Sequence, residues 1–281
     1  MSDGSVRMSI PDFVNPNTIH LNEKLIIHLD DQAGMDQSVI EKIFSSANLH
    51  GRILIILHIF EIPASGNSGQ TMPINALNYE LQREQEYGNF EYFRDYLESD
   101  LSWDCSIQIA NFFCANYNKY PAYFHYLLGH ELGHAQICVD DADLHFFYCL
   151  IQKHFKCASG QCLENHEYPH EKLFDQYGLY IMEQSFSRNE LLKQCSCLLN
   201  DNKAPNDYKL ESRFNSLENL QTEKDLSGLR QEMVSFSRSF KDQLKDCWIE
   251  SRKRPSTERD LVDNYFNDEK FEMQFNQSPL I

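Results

Sequence analysis

The stretch YLLGHELGHAQ, Tyr126–Gln136, constrains this chain more than any other part of it. It sets His130 and His134 four residues apart, with Glu131 beside the first. Residues four apart share one face of a helix, one turn from each other, so a helix here aims both imidazoles at one point, where they can share a cation. Glu131 lies one position round and faces the open coordination site, where it can take a proton from metal-bound water; this is the mechanical sense of the H-E-x-x-H spacing. The metal lowers the pKa of that water toward ~7 and polarises a carbonyl. The competing reading is an ordinary helix that carries two histidines. Leu127, Leu128, Leu132 and Ile137 are available to bury such a helix. Gly133 costs roughly 1 kcal/mol against alanine in a helix interior, and its use points to a close backbone approach, as near a metal. The helix is expected over Tyr120–Val139, starting near Pro121, since proline suits the first turn.

Two histidines do not hold a catalytic zinc; a third protein ligand is needed. A histidine six residues after the pair is one arrangement, and it is absent: position 140 is Asp140, and position 137, where a glycine would precede it, is Ile137. The other is a glutamate on a second helix. HEKLFDQYG offers Glu171 as ligand, then Asp175 four residues on and Gly178 beyond it. Asp175, one turn along the same face, is placed to accept a hydrogen bond from the non-ligating nitrogen of a zinc histidine and so to fix that ring. With 42 acidic residues in the chain, a solvated face is the competing reading. Phe174, Tyr177, Leu179 and Ile181 argue instead for a half-buried helix, expected over His170–Phe186.

The combination HELGH and EKLFDQYGLYIM resembles the gluzincin metallopeptidases, with their H-E-x-x-H followed by E-x-x-x-D-x-x-G. It is most similar to the compact minigluzincins, including the ImmA/IrrE-like peptidases and the soluble relatives of the prenyl-protein and heat-shock membrane proteases. The resemblance covers roughly Ser106–Met182. It implies Zn²⁺ held by His130, His134 and Glu171, Glu131 as general base and Asp175 as the partner of a ligating histidine. It further implies that SIQIA, Ser106–Ala110, is the sheet edge above the histidine helix, to which substrate would add as an extended strand.

Two departures from the family pattern stand out. The span between His134 and Glu171 is long and holds an extra helix, Ala142–Phe155, and a cysteine loop. The His-Pro pair of the membrane-protease branch is replaced by Arg254 and Pro255. Arg254 is a candidate for steadying a tetrahedral oxyanion, a role in which one donor can contribute ~3 kcal/mol, or else a basic surface turn before a helix from Ser256. Tyr177 and Tyr180 are further candidates for that donor, or core aromatics. Cys157, Cys162, His166 and His170 form a competing set for a structural zinc. Alternatively, Cys157 or Cys162 could occupy the open zinc position, or both could be free thiols. Cys195 and Cys197 diverge on a helix, Cys105 and Cys114 read as core, and His125 as a packed histidine.

The formal charge of −17 is concentrated in residues 1–200. Such a field repels phosphate backbones and argues against nucleic acid as partner, while a cation or a basic peptide segment is attracted. No charged-then-apolar leader opens the chain, and its longest apolar run, Ile53–Phe60, is too short to span a bilayer. Nine cysteines is an odd count, which suits a reducing compartment. A cytoplasmic protein without membrane contact is expected, export as an effector without a cleaved leader being the variant left open.

Three strands are read at Ile19–Leu29 (one or two), Arg52–Phe60 and Ser106–Ala110, and helices at Gln37–Ala47 and Ile74–Ser99. EIPASGNSGQTMP reads as a loop. The expected fold is α+β and zincin-like: a small mixed sheet packed on the H-E-x-x-H helix, with a mostly helical C-terminal part. A metallopeptidase domain over 1–199 is expected, with a helical extension over 200–281 packing on or beside it and Pro205 near the boundary. The function expected is a zinc-dependent endopeptidase cutting one specific protein. The alternative is a non-catalytic zinc sensor or interaction protein with a latent centre.

Overall fold

The computed structural model describes residues 18–20, 25–30, 35–47, 49, 53–60, 68–73, 105–140, 171–205, 210–220 and 225–251. Strands β1 (Thr18–His20), β2 (Leu25–Asp30), β3 (Ile53–Phe60), β4 (Gly69–Pro73) and β5 (Cys105–Ala110) form one sheet in the order β1-β2-β3-β5-β4. The inner pairs β2–β3 and β3–β5 are parallel; β1 and β4 run antiparallel on the two flanks. A parallel strand at the centre of a sheet needs no polar alternation, which suits the run ILIILHIF, whose Leu57 is fully buried. All six residues of β5 are likewise buried.

The fold is thus mixed α and β, with a five-stranded mixed sheet. Two expectations are corrected. GQTMP, read as loop because it holds a glycine and a proline and little that favours a strand, is strand β4, paired residue for residue with β5 from Gly69 opposite Ile109 to Pro73 opposite Cys105. Its place at a flank is the one that tolerates a proline, which has no N–H to donate to a further neighbour. β5 is therefore not the sheet edge: β4 covers it, and among the described residues β4 is the outermost strand on that side.

Helix α1 (Gln37–Ser46) is capped by Asp36, which accepts from the Ser38 amide. β5 passes directly into the short α2 (Asn111–Ala115) and then α3 (Pro121–Asp140), with proline at its first position as expected. Every residue from Ala122 to Gly133 is buried, so α3 has no solvent-facing stripe there, and the polar side chains it carries in that stretch, His125, His130 and Glu131, are enclosed with it. It packs on β4 and β5, on α1, and on the helices that follow. Near its N-terminus the Tyr123 amide, which has no partner inside the helix, donates to Gln194 Oε1 at 2.9 Å.

The C-terminal part is helical: α4 (Glu171–Glu183), α5 (Arg188–Leu199), α6 (Leu210–Asn219) and α7 (Leu226–Ser251). A reciprocal capping box between Ser187 and Glu190 starts α5. Leu217, Leu220, Leu229 and Met233 from α6, α7 and their junction join the same buried cluster as the sheet and α3. The expected helices Ile74–Ser99 and Ala142–Phe155 lie outside the described residues.

The contact that places the site is α3 against α4. The helices cross so closely that a Cβ added to Gly178 would sit 2.6 Å from the Tyr126 carbonyl oxygen and 3.0 Å from the His130 amide nitrogen. Only a residue without a side chain fits there. Gly133 answers the same approach: a Cβ there would meet the Phe174 ring at 2.9 Å. Its expected closeness to a metal is corrected to closeness to the neighbouring helix.

Candidate metal centre

Because α3 and α4 touch backbone to backbone, the first turn of α4 reaches the histidines of α3. His130 Nε2 and His134 Nε2 are 3.2 Å apart. Glu171 places Oε2 3.3 Å from His130 Nε2 and Oε1 3.5 Å from His134 Nε2. Ligands at about 2.0–2.1 Å around a tetrahedral cation lie about 3.3 Å from one another. The three separations are close to the edges of such a tetrahedron, so His130, His134 and Glu171 could hold a metal ion. They are the one group of three or more potential ligands among the described residues whose ligand atoms converge.

Asp175 occupies the position behind His130. Its Oδ1 lies 2.9 Å from His130 Nδ1 and accepts a hydrogen bond from the Tyr126 hydroxyl. A carboxylate can only accept, so the proton of a neutral His130 sits on Nδ1 and Nε2 presents its lone pair to Glu171 and His134. Burial and the nearby Arg213 guanidinium push the His130 imidazolium pKa down. The hydrogen bonds to Asp175 and Glu171 outweigh both and, with no cation present, hold it up at about 9. Burial opposes ionisation of Glu171 and Asp175, yet their histidine partners hold both carboxyls below the usual carboxylate range. The ring of Phe174 packs 3.9 Å from the His134 ring, centroid to centroid, and meets His130 edge-on at 5.9 Å. One fully buried phenylalanine thus fixes both imidazoles from one side.

Glu131 is 4% exposed, and its carboxylate turns to β4: Thr71 Oγ1 donates to its Oε2 at 2.7 Å. Of the predicted cluster, His130, His134, Glu171 and Asp175 are therefore brought together from α3 and α4, while the Glu131 side chain, one position round α3, is held by β4. Sequence reasoning missed three neighbours. In the sequence Phe174 is only an apolar position. Thr71 sits in a segment read as loop. Arg213 comes from α6, with Nη2 3.8 Å from Glu171 Oε2 and Nε 3.8 Å from Asp175 Oδ1. No spacing rule links an arginine to carboxylates some forty residues earlier; only the packing of α6 brings it there.

Tyr177 is not at the site. Its hydroxyl donates to the carbonyl of Ala47 after α1, and the ring is buried; a phenol bound to a backbone carbonyl on the far side of α4 does not serve as the oxyanion donor. Arg254, Cys157, Cys162, His166 and His170 lie outside the described residues. Cys105, Cys114 and Cys195 are buried, and Cys197 is exposed. His125 is buried, with Nε2 3.1 Å from the Tyr117 hydroxyl and the Phe186 ring edge-on against it.

Among the described residues no helix is long and apolar enough to cross a membrane. Comparison with family models, with characterised proteins and with solved structures finds no match to this chain.

Proposed function

We propose that the chain is a zinc-dependent endopeptidase of the gluzincin type, with a zincin-like arrangement of sheet, α3 and α4, acting in the cytosol on one specific protein substrate. The observation that carries this reading is the triangle of His130 Nε2, His134 Nε2 and a Glu171 carboxylate, with edges of 3.2 to 3.5 Å, beside a nearly buried Glu131. Two nitrogens and one carboxylate oxygen are the donor set of a catalytic zinc, which keeps its fourth position open. A zinc ion held there would supply Lewis acidity, lowering the pKa of a bound water and polarising the scissile carbonyl.

The chain's own residues do the rest. Glu131 takes the proton of the attacking water and returns it to the leaving amine, as general base and then general acid. Asp175 and Phe174 keep the His130 ring in one orientation, and Phe174 does the same for His134. Arg213 offsets the two carboxylates that the ligand set gathers. A substrate segment adding in extended form has β4 rather than β5 to lie against, since β4 is outermost among the described residues.

The test is Glu131→Gln. It is expected to fold, retain one zinc per chain and lose cleavage of the partner protein. Undiminished cleavage by this variant removes Glu131 as the base. Stoichiometric zinc with no turnover of any protein by the parent chain favours a zinc sensor instead.

A further inference from the structure

A general base needs its carboxylate held to within roughly half an ångström of the working geometry. Glu131 has three side-chain torsions, and freezing them costs on the order of 1.5–2 kcal/mol of rotamer freedom unless neighbours supply restraint. The restraint comes from β4. Thr71 Oγ1 lies 2.7 Å from Glu131 Oε2 and 3.1 Å from the Glu131 carbonyl oxygen, with both residues 4% exposed. Among the described residues no other hydrogen bond reaches this carboxylate. Alternation along a strand puts Gly69 on the same face as Thr71. A Cβ at Gly69 would stand 2.8 Å from Glu131 Oε1 and 3.2 Å from Cδ, so Oε1 occupies space that any other residue would fill. The register that fixes both, Gly69 opposite Ile109 and Thr71 opposite Ile107, belongs to the β4–β5 ladder.

We propose that Thr71 is a positioning residue for Glu131, its hydroxyl fixing one carboxylate oxygen while Gly69 leaves room for the other. The inference deepens the peptidase reading and rests on Glu131 being the base there. It concerns no zinc ligand, and it is tested without knowing the substrate.

The probe is acetohydroxamate, added to chain loaded with Co²⁺ and followed by the cobalt visible spectrum. A hydroxamate bound to a metal held there would give its O–H proton to a neighbouring carboxylate, so its affinity would report where Glu131 stands as well as the metal itself. Thr71→Val keeps the shape and deletes the hydroxyl; it is expected to weaken acetohydroxamate about tenfold, the effect of one hydrogen bond to a charged group. Its cobalt content is expected to match the parent, while its Tm falls because a buried carboxylate loses its partner. Thr71→Ser is expected to return affinity to within about threefold of the parent, since the O–H is restored. Gly69→Ala, which displaces a flexible carboxylate rather than backbone, is expected to weaken the probe like Thr71→Val and serves in its place should the valine variant not fold. Parent-like affinity in Thr71→Val, or in Gly69→Ala, while Glu131→Gln binds weakly, overturns the assignment of Thr71 and leaves Glu131 as base. Parent-like affinity in Glu131→Gln itself overturns the reading of Glu131, and the role of Thr71 with it.

Discussion

Asp175 illustrates what a single side chain can decide. It neither touches the position a cation would take nor faces water, yet it selects the His130 tautomer that can ligate. Asparagine in its place keeps the volume but loses the charge that holds the Nδ1 proton, and its amide group offers that nitrogen a donor as readily as an acceptor. Asp175→Asn is therefore expected to lower zinc affinity 10- to 100-fold, about what the loss of such a partner costs, without removing the fold. Competition with a chromophoric chelator measures it. His130 and His134 were legible from spacing because the helix repeat translates four residues into one face. Glu171 and Asp175 were legible from the same arithmetic applied a second time. Tyr177 does not join the site because it lies about 200° round α4 from Asp175, and the sequence does not say where its hydroxyl ends.

At the level of elements, the α3–α4 crossing governs the site, and glycine governs the crossing. Gly178→Ala sets a methyl group 2.6 Å from a backbone oxygen that cannot swing aside. The helices must separate, at a cost of about 1–3 kcal/mol for overpacking, and Glu171 moves with α4. The expected outcome is a lower urea midpoint together with less than one zinc per chain, read by denaturation and metal analysis. Helix α3 also carries a pH-dependent element at its other end. Burial, and secondarily the charge of Lys42, depresses the His125 pKa from the ordinary 6.5 to about 4. The unfolded chain binds this proton below about 6.5 and the folded chain does not until about 4. His125 thus contributes full stability above pH 6.5, and the contribution is lost as pH falls toward 4, at up to ~1.4 kcal/mol per pH unit. Urea titrations from pH 7 to 4 are expected to show a shallower decline in His125→Gln than in the parent. β4 was unreadable at this scale because a short flanking strand with glycine and proline is held by its partner strand rather than by its own residues.

Across the whole molecule, the helices after residue 200 are part of the site. Arg213 on α6 faces both carboxylates of α4, and Met233 on α7 closes on Gly133 of α3. Without a metal, Arg213 and the His130 proton are the positive charges balancing Glu171 and Asp175. With a divalent cation in place that balance is largely taken over. Arg213→Met is accordingly expected to lower Tm more in chelator-treated protein than in zinc-loaded protein, and calorimetry with and without zinc reads the difference. Equal losses in the two states would separate Arg213 from the metal centre. The sequence by itself determined the parts governed by local periodicity: the histidine helix and its start at Pro121, the central strand β3, the ligand face of α4, and the candidate metal ligands. Tertiary structure alone decided the rest. Which strand lies outermost over α3, that Gly133 meets a helix, that Thr71 reaches Glu131 and that Arg213 reaches Glu171 and Asp175 all depend on distances between segments far apart in the chain. Repeat lengths of 3.6 and 2 residues specify which side chains share a face; they carry no information about which faces meet.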